Sequence, residues 1–376
     1  MPLLVDLSDL QGRLQGDLFP VLASELGPLS GKMQQFVVVL EMCPIGGFLA
    51  GCPGLPGRPL ADRPALARTF IAKAVLGIAT TSLLIERLAG DATLRRLCGW
   101  SRRNEVPSEA TFSRAFAEFA QAALPARMHE ALIEATHKDR LVGHVSRDAT
   151  AIEAREKPVK VEPPKRCRNK VPPKKGEPGW EGVRRLQRQQ EMTLPEMLAD
   201  LPTHCSVGRK PNSKGNTNFW IGYKLHLDIA DGGIPVSALL TSASVNDSQA
   251  AIPLAHITSG RITHLYELMD SAYDAPEIRA ASRALGHVPI IAEQARSDKA
   301  KQARMRAEWR ARKQLNFEPA EARRLGLRRE DERINGRFKD EFGGRTVRVR
   351  GHAKVMCHLM FGILALTVDQ LMRFVT

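Results

Sequence analysis

No Cys-x-x-Cys pair occurs among the six cysteines, Cys43, Cys52, Cys98, Cys167, Cys205 and Cys357. That argues against a zinc ribbon, and so scattered a set suggests no disulfide framework, so a reducing cytoplasm is the expected setting. Long apolar runs are also missing. The most apolar stretches, Phe36–Leu40 and Met360–Val368, fall far short of the roughly 20 residues that a spanning helix needs, and they read as buried core. The N-terminus, Met1-Pro2-Leu3-Leu4-Val5-Asp6, has no charged region followed by an apolar stretch, which argues against a secretory signal. Neither a lipid-anchor motif nor an amphipathic basic helix points to a membrane surface. No internal repeat and no coiled coil stands out.

What is present is positive charge. The 376 residues carry a formal net charge of +14, which directs attention to a polyanionic partner. Nucleic acid is the commonest, because each neutralised phosphate releases counterions. About 43% of the residues are of hydrophobic type, enough for a real core and for two or three domains.

Residues 1–140 read as a helical N-terminal domain. Phe70, Ile71, Ala74, Val75, Ile78, Leu83, Leu84 and Leu88 recur close to a 3.6 period, and Thr80-Thr81-Ser82 can break that stretch and cap a second helix. The Gly/Pro-rich stretch before it, Gly46–Pro64, reads as a loop or linker. Gly99 ends one helix, and Ser108 opens another that runs to about Gln121 with Phe112, Phe116 and Phe119 on one face. With Arg102, Arg103 and Arg114 nearby, this is either a helix-turn-helix that meets DNA or a plain helical hairpin with solvated arginines.

Residues 141–376 alternate strands and helices. A strand from Val142 to Ile152 carries Asp148. A basic, Pro-rich insertion at about 155–215 has too few apolar residues to pack a core and reads as a mobile arm or a surface loop. Phe219–Ile229 and Ile234–Ser244 form a hairpin across Gly232-Gly233. Asp247-Ser248 caps a helix to about Thr258, and His264–Met269 is an apolar strand ending at Asp270. A helix over Ala275–Leu285 and a strand from Val288 follow, Lys299–Lys313 is a dense basic helix, Ala320–Lys339 is a helix holding Glu332, and Ala353–Arg373 packs on the sheet. Asp274 and Asp247 read as caps or structural residues; His226 either faces a site or is exposed. Strand with acid, hairpin, helix, strand with acid, helix, strand, helix with acid is the order of a ribonuclease-H-like α/β fold, a mixed sheet flanked by helices.

Three motifs coincide: Ser146-Arg147-Asp148-Ala149-Thr150, Asp270-Ser271-Ala272-Tyr273-Asp274 and Arg328-x3-Glu332-x6-Lys339. Together they resemble the DDE transposases of bacterial insertion sequences, in the branch with the signature Tyr-x2-Arg-x3-Glu-x6-Lys. The signature Tyr falls on Leu325 here. The resemblance implies an enzyme that binds element ends and catalyses DNA cleavage and strand transfer. Asp148, Asp270 and Glu332 would be its catalytic, metal-binding acids, with Mg²⁺ as cofactor and Mn²⁺ as a substitute. It also implies that Arg328 and Lys339 hold DNA phosphates, with Lys224 and His226 as further family residues. Its partners would be double-stranded DNA and further copies of itself on that DNA, in a bacterial cytoplasm at the nucleoid. The competing readings are a hydrolysis-only nuclease of the same fold and a non-enzymatic DNA-binding protein, such as a decayed transposase acting as a repressor.

The chemistry asks for these groups. A phosphodiester repels nucleophiles and has a poor leaving oxygen, which two Mg²⁺ ions about 4 Å apart can both counter. Mg²⁺ takes a few carboxylates plus waters and phosphate oxygens. On a helix, Arg328 and Lys339 return to the face of Glu332, so a metal ligand would stand between two cations. The blander alternative is an i,i+4 salt bridge beside a solvated lysine.

Overall fold

The computed structural model describes residues 2–43, 45–49, 61–161, 173–177, 179–211, 216–293, 295 and 298–374. Cys52, Cys167 and parts of the expected 46–64 linker and 155–215 insertion lie outside the described residues. Eight helices come first: α1 Pro2–Arg13, α2 Phe19–Leu26, α3 Gly31–Met42, α4 Arg63–Val75, α5 Thr81–Gly90, α6 Ala92–Cys98, α7 Glu109–Gln121 and α8 Leu124–His137. Then follow β1 Leu141–Glu153, α9 Arg185–Gln189, α10 Leu194–Asp200, β2 Ser206–Pro211, β3 Thr217–Ala230, β4 Ile234–Ser242, α11 Asp247–Ser259, β5 Thr263–Met269, α12 Pro276–Ala284 and β6 Val288–Ile291. The chain closes with α13 Lys299–Gln314, α14 Ala320–Gly326, α15 Arg329–Glu341 and α16 His352–Arg373.

Local chemistry explains most boundaries. The Thr80 side chain accepts a hydrogen bond from the Leu83 amide at 3.1 Å, so α5 starts where the threonines suggested. Gly232 and Gly233 both take left-handed φ, 79° and 72°, and turn β3 into β4. The α11 cap is Asn246, one residue earlier than expected, accepting from the Ser248 amide at 3.2 Å.

The six strands form one mixed sheet in the order β2-β3-β1-β5-β6, with β4 also paired to β3. β1 is central, antiparallel to β3 and parallel to β5, and β5 is parallel to β6. This is the ribonuclease-H-like arrangement expected from the element order. α16 lies against the sheet at β4 and against α3, α4, α7 and α8. It is apolar enough by composition to cross a membrane, but 78% of its apolar window is buried inside the protein, so its character is that of a core helix. One hydrophobic cluster runs from Phe36 and Phe70 through Phe112 and Phe116 to Phe361 and the inner face of β3. Phe70 sits 5.9 Å from both Phe112 and Phe361, so the aromatic face of α7 is consumed in the core.

Two expectations need correction. The 155–215 insertion is not an arm throughout. Residues 206–211 are an edge strand, and α9 and α10 pack on α11 and α12. Asp200 neutralises Arg185 at 2.7 Å and Arg188 at 2.8 Å, and Leu186, Met192 and Met197 join a second apolar cluster with Ile252, Tyr273 and Ile278. Paired in this way, a basic segment can be buried. The expected single helix over 320–339 is broken. Gly326 disfavours helix, and the amides of Leu327 and Arg328 turn to carbonyls three residues back, a tighter 3₁₀ pattern that separates α14 from α15.

Candidate active site

β1 presents alternate side chains to opposite faces of the sheet. On one face Arg147 is 2% exposed and binds Asp228 through two bonds of 2.8 and 2.7 Å, with Glu267 at 3.2 Å. Asp228 also accepts from Thr258 at 2.5 Å, tying β1, β3, β5 and α11 together. Burial pushes the Glu267 carboxyl up, but the charge of Arg147 and the contact with His264 outweigh it, so its net shift is downward. His226 belongs to this face. It is neither exposed nor in the site: its Nε2 meets Thr241 Oγ1 at 2.9 Å, and burial pulls its pKa down to about 3.

On the other face stand Ser146 and Asp148. Arg147 pairs across the parallel register with Met269, so the next positions on the two strands are Asp148 and Asp270. Neighbouring strands lie about 4.8 Å apart, so the register alone makes the two aspartates neighbours. Asp270 closes β5 and accepts from the Ala272 amide at 2.8 Å. Burial raises the Asp148 pKa, Arg328 opposes this, and the charge of Asp270 adds to the rise. Tyr273, buried and without a hydrogen-bond partner for its hydroxyl among the described residues, has its pKa raised well above the usual range, chiefly by burial and also by Asp247, Asp148 and Asp270.

α15 covers this face. Its inner side, Ile334 and Phe338, is buried, and Arg337 pairs with Asp369 at 2.7 Å. Gly362 permits the close approach of α16 to the end of α15: a Cβ there would lie 2.3 Å from Phe342 O. So seated, α15 brings Asn335 Nδ2 to 2.9 Å from Asp148 Oδ2 and Arg328 to 3.6 Å from Asp148 Oδ1. Asp331, 1% exposed, accepts from Ser146 Oγ at 2.5 Å. Burial raises its pKa to about 7, against the Ser146 bond and with help from the charge of Asp148.

Glu332 is exposed and makes no side-chain hydrogen bond or ion pair with a described residue. It lies four residues after Arg328, which precedes α15, and three before Asn335 of α15, the two groups that touch Asp148, so by helical spacing it falls close to their stripe. Lys339, further along the stripe, is half-buried. Burial, Arg345 and Lys210 lower its pKa, and Asp148 opposes them. Lys210 and Arg345 therefore join Arg328 and Lys339 in a positive rim. Lys224 is different: its Nζ donates to Val245 O and Asp247 Oδ1, both at 2.7 Å, which holds it inside. Arg102, Arg103 and Arg114 are far along the chain from the acids and exposed, in the turn before α7 and on its outer face. Asp274 pairs with Arg279 at 3.0 Å, and the residue at the N-cap of α12 is Ala275, not Asp274.

The sequence reading missed Asp331, Asn335 and Arg147. Arg147, Asp228 and Glu267, three charges inside apolar strands, were the available signal for the network. For Asp331 and Asn335 the signal was their i,i+4 spacing beside Glu332.

The donor types here are oxygens, as a hard divalent cation takes: carboxylates at Asp148 and Asp270, and buried oxygens without partners among the described residues, Asp331 Oδ1 and Asn335 Oδ1. Among the described residues no three His, Cys, Asp or Glu groups converge closely enough to hold a metal. The exposed side chain of Glu332 is free of described partners. Replacing Asn335 by Ala should weaken Mn²⁺ binding about 10- to 100-fold, the usual effect of losing a group that orients a ligand. Calorimetric titration with Mn²⁺ checks this, and unchanged affinity would remove Asn335 from the site.

The chain matches the family described as "Transposase DDE domain" over residues 148–368, and "Transposase domain (DUF772)" over residues 45–118. No curated protein and no solved structure matches it.

Proposed function

We propose, for a chain that belongs to the DDE transposases, that it binds the ends of its element and carries out both DNA cleavage and strand transfer at Asp148, Asp270 and Glu332. The observation that carries this is the β1–β5 register, which makes Asp148, within β1, and Asp270, just past the end of β5, neighbours under a helix that reaches Asp148. Mg²⁺, or Mn²⁺ in its stead, would be held by Asp148 and Asp270, with Glu332 joining from the rim. When bound, a metal pair activates the attacking oxygen and stabilises the leaving one. Arg328 and Lys339 hold phosphate oxygens at the scissile bond. Lys224 holds Asp247 and so supports the Tyr273 side of the pocket, reaching DNA only if that ion pair opens. Asn335 and Ser146–Asp331 fix the distance between α15 and β1.

The helices up to residue 140 form the DNA-recognition part. α6, the turn holding Arg102 and Arg103, and the outer face of α7 with Arg114 present positive charge to a duplex, while the inner face of α7 is locked in the core. Paired element ends bring two or more copies together.

The test is cleavage of DNA flanking the gene with Mg²⁺, Mn²⁺ or EDTA. Nicking with either metal and none with EDTA is expected, followed by joined products when a 3′-hydroxyl end and a target duplex are supplied. Hydrolysis without joining would identify a nuclease of the same fold. Binding without any nicking would identify a non-enzymatic DNA-binding protein.

A further inference from the structure

α13 is a 16-residue helix that buries none of its residues. It carries seven Lys or Arg and a single acid, Glu308. Most helices in proteins are stabilised by packing an apolar face, which this one does not do. Its charges fall into two groups on the helical wheel. Lys301, Arg304 and Arg312 lie on one side and are answered by acids of the protein: Lys301 by Glu293 at 3.4 Å and Asp274 at 3.9 Å, Arg304 by Glu293 at 3.9 Å, and Arg312 by Glu308. Lys299, Arg306, Arg310 and Lys313 lie on the other side, all exposed, and none forms an ion pair with a described residue. Arg306 and Arg310 are i,i+4 and Arg310 and Lys313 are i,i+3, so this stripe repels itself at about 0.2–0.5 kcal/mol per pair. The helix is thus moored by one charged face, while the other lacks its counter-charge.

We propose that the stripe Lys299, Arg306, Arg310 and Lys313 is a binding site for the phosphate backbone of duplex DNA, separate from the acidic site. The stripe is about 21 Å long at 1.5 Å per residue, enough to follow a run of phosphates, and a polyanion relieves the self-repulsion. Trp309, 63% exposed, lies beside the stripe with Lys313 Nζ 5.2 Å from its ring, giving that edge a flat apolar surface against the sugar backbone. Contacts of this kind position DNA and carry no sequence information. The inference rests on the reading of the chain as a DNA-acting enzyme and adds a surface that reading does not use.

The test is the salt dependence of binding to a duplex of unrelated sequence, measured on the full chain. The variant Lys299→Gln, Arg306→Gln, Arg310→Gln, Lys313→Gln should reduce the slope of log K against log salt by about 3–4, since each phosphate contact contributes about 0.9. Its Tm should not fall, because the four side chains touch no core. The companion variant Lys301→Gln, Arg304→Gln, Arg312→Gln should change the slope by less than about 1. An unchanged slope in the first variant, or equal loss in both, overturns the proposal while leaving the acidic site untouched. A wild-type chain whose DNA binding does not respond to salt overturns the proposal together with the wider reading. Retention of duplex binding by the first variant alongside lost binding to an acidic protein surface would also refute it.

Discussion

Asp270→Asn is expected to lower DNA nicking by at least about 1,000-fold, or about 4 kcal/mol of barrier, while duplex binding and Tm stay close to wild type. The amide keeps the shape of the side chain, and its oxygen can still accept the 2.8 Å bond from the Ala272 amide that ends β5. What it loses is the charge needed to hold a divalent cation beside Asp148. The substitution also removes a negative neighbour that raises the Asp148 pKa, so Asp148 should ionise at lower pH in the variant. A nicking assay with a parallel binding titration separates these effects. A variant that nicks at the wild-type rate would remove Asp270 from the site and, with it, the pairing that the β1–β5 register provides.

Arg147→Met should cost about 3–5 kcal/mol of stability, the usual result of leaving buried charges unpaired. Asp228 and Glu267 are 0% and 1% exposed, and each loses its guanidinium. Binding measurements on this variant will be uninformative if it fails to fold, so the readout is urea unfolding. The pH dependence has a definite sign. The Glu267 pKa lies below its unfolded value, so its contribution is present at neutral pH and is lost as pH falls through the folded pKa. In the variant that depression disappears and burial dominates. Glu267 then favours the protonated form, and the deficit relative to wild type should shrink as pH falls, beginning above the ordinary carboxylate range and continuing below it. A deficit that is constant from pH 7 to strongly acidic pH would show that the network is not what holds β1, β3 and β5 together.

How much of this was legible depended on how far along the chain the deciding contact lies. The strand β3 was visible from partial alternation, β1, β4, β5 and β6 from their apolar runs, and the turn at Gly232-Gly233 from its residue types. The cap at Thr80 acts across three residues and was readable; the cap of α11 was placed one residue late, at Asp247 for Asn246, because both side chains suit the role. Asp148 and Asp270 were found through their motifs, and the register then explained why those positions are neighbours. Glu332 was found the same way, but its motif carries no information on which way the helix is rolled. The roll is set by Ile334 and Phe338 in the core, by Asn335 on Asp148 187 residues away, and by Asp331 on Ser146 185 residues away. That is how Asp331 came to be buried and Glu332 exposed, from adjacent places in the chain.

The same distinction accounts for the basic segments. Composition marked 155–215 as a mobile arm or surface loop and 299–313 as a dense basic helix. Asp200, a dozen residues or so after Arg188 and Arg185, drew the first of these inward at its later part, and the apolar residues Leu186, Met192 and Met197 found a cluster to join. No such cluster receives α13.

By itself the sequence determined the order of the strands and helices outside 155–215 and 320–339, the three acidic motifs and the excess of positive charge, because each is expressed in residue type and short spacing. Only the tertiary structure decided which acids face one another, which cations are answered from within and which remain open to a partner. Those outcomes depend on burial and on pairs of groups that chain connectivity leaves far apart, and the free energy of such a pair exists only once the sheet has closed around it.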